Sequence, residues 1–136
     1  MNKVVIDTNV FISSFFGGIP RKIIDLWKNG KIILCLSQEI VDEYIEVLIR
    51  LGVDPHEIKE LLKLFAENYY SIFTAKTPKL SVIKDDPDDN KFIECAVALD
   101  CKVIISGDKH LSSIRRYIDI NIFSPREFIE RASSNS

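Results

Sequence analysis

The sequence predicts an α/β protein, a three-layer α/β/α sandwich around a central parallel sheet of about five strands. Short apolar, β-branched runs alternate along the chain with segments of helical periodicity. No internal repeat or Pro/Gly-rich linker divides the 136 residues. Strands that alternate with helices are joined by right-handed crossovers, which make the strands parallel and place helices on both faces of the sheet.

Five apolar runs are predicted to be the strands, at residues 3–7, 31–36, 69–75, 102–106 and 120–123. The first is the clearest, because the β-branched run "KVVID" leads directly into turn residues. The third, "YYSIFTA", is the weakest, and we expect it near an edge of the sheet.

Five helices are predicted from periodicity and end signals, at residues 20–28, 37–51, a segment that begins at 54, 90–99 and 125–132. Asn29-Gly30 is typical of a helix C-terminus. Ser37 is a natural N-cap, and "DPHE" from Asp54 supplies a cap, a first-turn proline and a capping-box glutamate. The helix at 90–99 is almost entirely apolar, so we expect it to be buried against the sheet.

The composition is that of one globular domain, which we assign to residues 1–131, with 132–136 as a frayed tail. Apolar residues make up 46% and charged residues 28%, and no apolar run approaches the length that spans a bilayer. The N-terminus lacks a secretory cleavage site, so we expect a cytoplasmic protein. The net charge of −2 argues against coating nucleic acid by bulk positive charge.

The three cysteines are predicted to be reduced core thiols. Cys35, Cys95 and Cys101 are odd in number, lie in apolar or helical contexts and match no zinc-type spacing.

Three acidic residues fall where a parallel α/β sheet opens its ligand crevice. Asp7 ends the first predicted strand, Asp108 follows the fourth after Gly107, and Asp89 begins the helix that leads into the fourth. In open α/β sheets, ligands bind outside the carboxyl ends of the strands. We therefore expect Asp7 and Asp108 to project into this crevice.

Helix capping is an alternative explanation for these acids, because Asp is a favoured N-cap residue and each precedes a helix. Capping explains Asp89 and Asp108 more readily than Asp7, since Thr8 or Asn9 could cap the helix after the first strand. Neighbouring strands lie about 4.8 Å apart, so the carboxylates of Asp7 and Asp108 would repel each other unless a cation lay between them. Mg²⁺ and Mn²⁺ prefer such oxygen ligands.

The helix at 37–51 offers a further acid. Its acidic residues are Glu39, Asp42, Glu43 and Glu46. On a helical wheel Glu39 and Glu46 point away from the apolar stripe, whereas Asp42 and Glu43 flank it on opposite sides. Periodicity leaves Asp42 and Glu43 both open.

Four stretches together resemble the PIN-domain family. They are "VVIDTNVFIS", "LSQEIVDEYIEVL", "DPDDNKFIECAVALDCKVIISGDKHL" and "IFSPREFI", and they cover the chain from Val4 to about Ile129. The match is closest to the branch that includes the toxin components of bacterial and archaeal toxin–antitoxin modules. The individual motifs are short, but their order and spacing make the joint match specific.

The resemblance implies an acidic quartet that is both catalytic and metal-binding: Asp7, Glu43, Asp89 and Asp108. The choice of Glu43 over Asp42 comes from the family pattern. The same pattern implies that Asn9 and Ser106 support the site through hydrogen bonds. Asp86 and Asp88 are alternatives to Asp89, because they crowd the same loop.

The resemblance further implies a Mg²⁺- or Mn²⁺-dependent endoribonuclease, in this branch the toxin of a toxin–antitoxin pair. Such a toxin is inhibited by a cognate antitoxin, and many PIN domains form homodimers. A PIN nuclease of RNA processing is one alternative. A non-catalytic domain that binds RNA or protein is another, although the intact quartet counts against it.

RNA binding near the acids would need basic or aromatic side chains. The basic candidates, for each of which a solvated surface position is the more common explanation, are Arg21, Lys22, Lys84, Lys91, Lys109, Arg115 and Arg116. Phe15 and Phe16 could stack on bases or pack in the core. His110 is expected to be a surface residue rather than a general base.

A haloacid-dehalogenase-like phosphatase is a further alternative, because it also places an Asp after the first strand. That enzyme class needs a second acid two residues later, where this chain has Asn9.

Overall fold

The computed structural model describes residues 2–134, and its centre is a six-stranded sheet in the order β3-β2-β1-β4-β6-β5. The strands are Asn2–Ile6 (β1), Ile32–Ser37 (β2), Ser71–Thr74 (β3), Val103–Ile105 (β4), Arg116–Tyr117 (β5) and Ile120–Phe123 (β6). All neighbouring strands are parallel except β5 and β6. The predicted parallel sheet is confirmed, with β3 at an edge.

The additional strand, β5, was not predicted because it carries almost no sequence signal. It has two residues, and it is half of a hairpin whose turn contains Ile118 at a φ of 56°. A pair of strands this short is set by turn geometry and by the neighbouring strand rather than by apolar periodicity.

Seven α-helices occur in the described residues. They are Thr8–Ser13 (α1), Gly18–Lys28 (α2), Gln38–Arg50 (α3), Pro55–Ala66 (α4), Asn90–Ala98 (α5), Lys109–Ile114 (α6) and Pro125–Ser134 (α7). Short 3-10 turns lie at Ser14–Phe16 and Pro87–Asp89. None of these helices is both long and apolar enough to cross a bilayer.

The helix ends follow the predicted capping signals. The side chain of Ser37 accepts from the Ile40 amide at 3.3 Å, and that of Asp54 accepts from the His56 amide at 2.9 Å. The last helix includes residues 132–134, which we had expected to be frayed, and residues 135 and 136 of that tail lie outside the described part of the chain.

The central strands are buried on both faces, as expected for a parallel sheet covered by helices. Val4, Val5 and Ile6 of β1 are fully buried. α5 packs across β1, β2 and β4, as its apolar composition predicted.

The cysteines are free and buried in this core, as predicted. Burial raises the pKa of Cys95 to about 12, which keeps its thiol protonated at neutral pH.

Asn90, the first residue of α5, holds the irregular segment between β3 and α5. Its side-chain oxygen accepts from the amides of Val82 and Ile83 at 3.0 and 2.8 Å. Its side-chain nitrogen donates to the carbonyls of Ile83 and Pro87, both at 3.0 Å. Because Asn90 directly follows Asp89, this buried amide also fixes the position of a candidate site residue.

Asn90→Ala should therefore lower the free energy of unfolding by about 2–4 kcal/mol, because it leaves buried amides without an acceptor. Urea denaturation followed by circular dichroism measures this change. Asn29→Ala is the matched control, since Asn29 is exposed at the end of α2, and it should change stability by no more than about 0.5 kcal/mol. Equal effects of the two substitutions would contradict the role given to Asn90.

Candidate active site

Ser106 joins two of the predicted site residues at the carboxyl ends of the neighbouring strands β1 and β4. Its hydroxyl donates to Oδ2 of Asp7, and the same hydroxyl oxygen accepts from the backbone amide of Asp108 at 2.9 Å. Asp7 and Ser106 are both buried. The pairing of β1 with β4 therefore brings Asp7 and Asp108 to one place.

Both aspartates also cap helices that begin at the carboxyl ends of β1 and β4. Oδ1 of Asp7 accepts from the Val10 amide at 2.9 Å, and Oδ2 of Asp108 accepts from the amides of His110 and Leu111 at 2.8 and 3.1 Å. The capping explanation is thus correct for Asp108. We expected Thr8 or Asn9 to be the N-cap of the helix after β1, and this was wrong, because the N-cap is Asp7. Capping orients both carboxylates without excluding a role in the site, because a carboxylate accepts several bonds.

Asp89 behaves differently, since it lies at the N-cap position of α5 without making a side-chain capping bond. Its Oδ2 atom is buried and has no hydrogen-bond partner among the residues that the structure describes. Burial, together with the negative charges of Asp108 and Asp86, raises the pKa of Asp89 to about 7. Capping therefore does not explain Asp89.

The acids influence one another across the crevice. Burial raises the pKa of Asp7, and the charges of Asp108 and Glu43 raise it further, while the hydrogen bonds from Ser106 and Val10 lower it. The charge of Asp7 contributes in turn to the raised pKa of Asp89. All four predicted acids consequently share one negative field.

Glu43 reaches this field because its neighbour Tyr44 anchors α3 over the end of β1. The buried Tyr44 hydroxyl donates to the carbonyl of Ile6, and its ring stacks on Phe11 with a centroid separation of 4.0 Å. Asp42 is exposed and accepts from the side chain of Gln38 at 2.8 Å. Of the two acids that periodicity left open, Glu43 is the one whose charge is seen to raise the pKa of Asp7.

Lys91 forms an ion pair with Glu43 and a second with Asp88, the latter at 3.2 Å. We had considered Lys91 as a contact for RNA, but its side chain is buried. The sequence signal that could have indicated this role for Lys91 was a lysine in the first turn of a mostly apolar helix.

Tyr44 was also missed as a functional residue, because its spacing is that of the apolar stripe of α3.

The remaining candidates, Asp86, Asp88 and Asn9, differ in their exposure and in the groups that they contact. Asp88 is exposed and bound to Lys91, whereas Asp86 is near enough to raise the pKa of Asp89. Asn9 is exposed, and within the described residues its side chain makes no hydrogen bond to the four acids.

Most of the proposed basic contacts are exposed at the surface. Arg21 donates to the carbonyls of Ser14 and Phe15, and Arg116 donates to that of Ile118, so both have local structural bonds. The other exposed or rim cations are Lys22, Lys84, Lys109 and Arg115.

The two predicted stacking residues differ in exposure. Phe16 is 73% exposed, whereas Phe15 packs partly against the core. Phe16 is therefore the more accessible of the two rings. His110 is half-buried, and His56 is exposed at the start of α4.

The donor chemistry of the site fits a hard divalent cation. The side chains are carboxylates, and Asp89 has a buried oxygen to which no group in the described part of the chain donates a hydrogen bond. Within residues 2–134, no three Asp, Glu, His or Cys side chains converge closely enough to form a ready-made metal site. The carboxylates would have to draw together around an ion.

Comparison with known proteins agrees with this architecture. The family model described as "PIN domain" matches residues 3–110, which include all four acids. The chain belongs to the PIN-domain family. It is also 39% identical to the uncharacterized protein MJ1680 of Methanocaldococcus jannaschii, over 94% of this chain and 90% of that relative. PIN domains are in general nucleases.

The raised pKa of Asp89 predicts a pH dependence of stability in the metal-free PIN domain. The folded-state pKa of about 7 lies above the ordinary 3.8, so folding takes up a proton between these values. Stability should therefore fall as the pH rises through this window. Asp89→Asn should have the same free energy of unfolding as the wild type below about pH 4. At pH 8 its free energy of unfolding should be higher by on the order of 1 kcal/mol. The difference is no larger because Asp89 is only partly buried and solvent screens part of the repulsion.

Chemical denaturation in EDTA between pH 4 and pH 8 measures this difference. The matched control is Asp85→Asn, in the same loop but exposed, whose curve should run parallel to that of the wild type. An Asp89→Asn curve with the wild-type slope would show that Asp89 is not buried among negative charges.

Proposed function

We propose that this PIN domain is a metal-dependent endoribonuclease that hydrolyses RNA phosphodiester bonds. The observation that supports the proposal is the buried Oδ2 atom of Asp89, which has no hydrogen-bond partner within the described residues and lies where the negative charges of Asp108 and Asp7 act on it. A gathering of negative charge in a partly dry crevice is unfavourable unless a cation compensates it. Family membership makes nuclease chemistry the natural use of that cation.

Asp7, Asp89 and Asp108 would hold Mg²⁺ or Mn²⁺, and Glu43 adds a further negative charge that acts on Asp7. When bound, such an ion activates a water for in-line attack on phosphorus and offsets negative charge on the leaving oxygen. Ser106 keeps the Asp7 carboxylate in place, and the helix N-termini of α1 and α6 orient Asp7 and Asp108. The protein residues thus position the charges and do not themselves attack the substrate.

The RNA strand would approach over the rim of the crevice, where exposed cations offset the repulsion between phosphate and carboxylate. Lys84 lies on the loop that leads to Asp89, and Lys109 directly follows Asp108. The exposed ring of Phe16 would offer a surface for an unpaired base. These positions favour single-stranded RNA over a duplex, whose bases are already stacked.

We further propose that the nuclease is the toxin of a toxin–antitoxin pair in the cytoplasm, with a cognate antitoxin as inhibitor and a homodimer as its assembly. This finer role follows from the resemblance of the motifs to that branch of the family. Expression alone should then arrest growth, and co-expression of a small DNA-binding protein encoded beside it should restore growth. Growth unaffected by the active enzyme would favour a role in RNA processing instead.

Asp7→Asn should abolish Mn²⁺-dependent cleavage of single-stranded RNA while the fold is retained, because asparagine keeps the capping oxygen and removes the negative charge. The loss should exceed about a hundredfold, as expected when a metal ligand is removed. Cleavage of a fluorescently labelled RNA, with circular dichroism as the check of folding, provides the measurement.

Asp42→Asn is the matched control for this experiment, since Asp42 is exposed and is bound to Gln38 on the same helix as Glu43. It should cleave at the wild-type rate. Cleavage by Asp7→Asn at that rate would show that the catalytic site lies elsewhere. A para-nitrophenyl phosphate assay run alongside tests the phosphatase alternative.

Mn²⁺ at millimolar concentration should raise the melting temperature of the wild type by about 3–6 °C, because the ion binds the native state and relieves its carboxylate repulsion. Differential scanning fluorimetry measures the shift. Asp89→Asn should lose most of it, while Asp42→Asn should keep it. A shift of the same size in Asp89→Asn would place the ion away from these acids.

A further inference from the structure

Lys91 occupies a position that neither its helix nor its surroundings explain without Glu43. Its side chain is only 9% exposed. It lies at the second residue of α5, where the positive end of the helix dipole disfavours a cation. Removing an ammonium group from water adds a further cost. Both costs are offset by the ion pairs with Glu43 and Asp88, which come from α3 and from the turn before α5.

These ion pairs divide the four acids into two sets. Glu43, 26% exposed, already has a cation of the protein beside it. Among the residues that the structure describes, no lysine, arginine or histidine forms an ion pair with Asp7, Asp89 or Asp108. The unpaired carboxylate oxygen belongs to this second set.

The cavity beside Glu43 supports the same division. It has a volume of about 410 Å³ and is lined by Glu43, Lys91, Asp88 and other polar residues of α3. None of the three aspartates lines it. The Glu43–Lys91 pair therefore lines a cavity to which Asp7, Asp89 and Asp108 do not contribute.

We propose that Lys91 takes the place of a second metal ion: its ammonium neutralises Glu43, so the site binds a single divalent cation on the side of Asp7, Asp89 and Asp108. This inference rests on the proposed metal-dependent function and specifies which acids are neutralised by Lys91 and which by the metal ion. Glu43 then acts through Lys91 as a positioning residue, and it is not a ligand of the ion.

The test is the number of Mn²⁺ ions bound by the full chain, measured from the electron paramagnetic resonance signal of free Mn²⁺ during a titration. The wild type should bind one ion. Lys91→Met, which keeps the length of the side chain and removes its charge, should bind two, because Glu43 and Asp88 become free to hold another. Lys91→Arg should restore binding of one ion, and the distant Lys102→Met should also bind one.

A second comparison does not depend on the folding of the Lys91 variants. Asp108→Asn should weaken Mn²⁺ binding by about tenfold or more, because a ligand is lost. Glu43→Gln should weaken it by no more than about threefold, since only a nearby charge changes. The inference would be overturned, with the metal-dependent function intact, by any of three results. These are two Mn²⁺ ions bound to the wild type, one ion bound to a folded Lys91→Met, or equal losses of Mn²⁺ affinity in Asp108→Asn and Glu43→Gln. If the wild type binds no Mn²⁺ at millimolar concentration, the proposed function fails together with this inference.

Discussion

The hydrogen bond from Ser106 to Asp7 ties the carboxyl ends of β1 and β4 together, and the candidate site depends on it. Because the same hydroxyl oxygen accepts from the Asp108 amide, one buried serine sets the relative position of two acids from opposite ends of the chain. The parallel pairing of β1 with β4 makes this contact possible. Strand order, rather than sequence proximity, is thus what assembles the acids.

The negative charge of carboxylates gathered at the carboxyl ends of the strands must be compensated, and the fold supplies compensation by two means. The first is backbone amides, since Asp7 and Asp108 each accept from the start of a short helix. Helix N-termini carry partial positive charge and stabilise anions. The second is the ammonium of Lys91, which neutralises Glu43. Within the described residues Asp89 receives neither form of compensation, and burial together with the neighbouring negative charges raises its pKa.

Much of this architecture could be predicted from local patterns. The β-branched runs predicted the parallel strands, and the acids at their ends predicted where Asp7 and Asp108 would meet. Contacts between residues far apart in sequence could not be predicted in this way. Lys91 and Glu43 are 48 residues apart, and nothing in either segment indicates that they would pair. Which of Glu43 and Asp42 points toward the aspartates likewise depends on the contact of Tyr44 with β1, which is a tertiary contact.

The two edges of the sheet differ in what they offer to another polypeptide. At one edge β5 has only two residues and ends in a tight hairpin turn, which leaves little backbone for pairing between molecules. At the other edge β3 has four residues and an exposed Phe73, but Lys76, Pro78 and Lys79 follow it closely. Lysine and proline beside an edge strand disfavour its extension by a second chain. The sheet is in this way protected against aggregation at both ends.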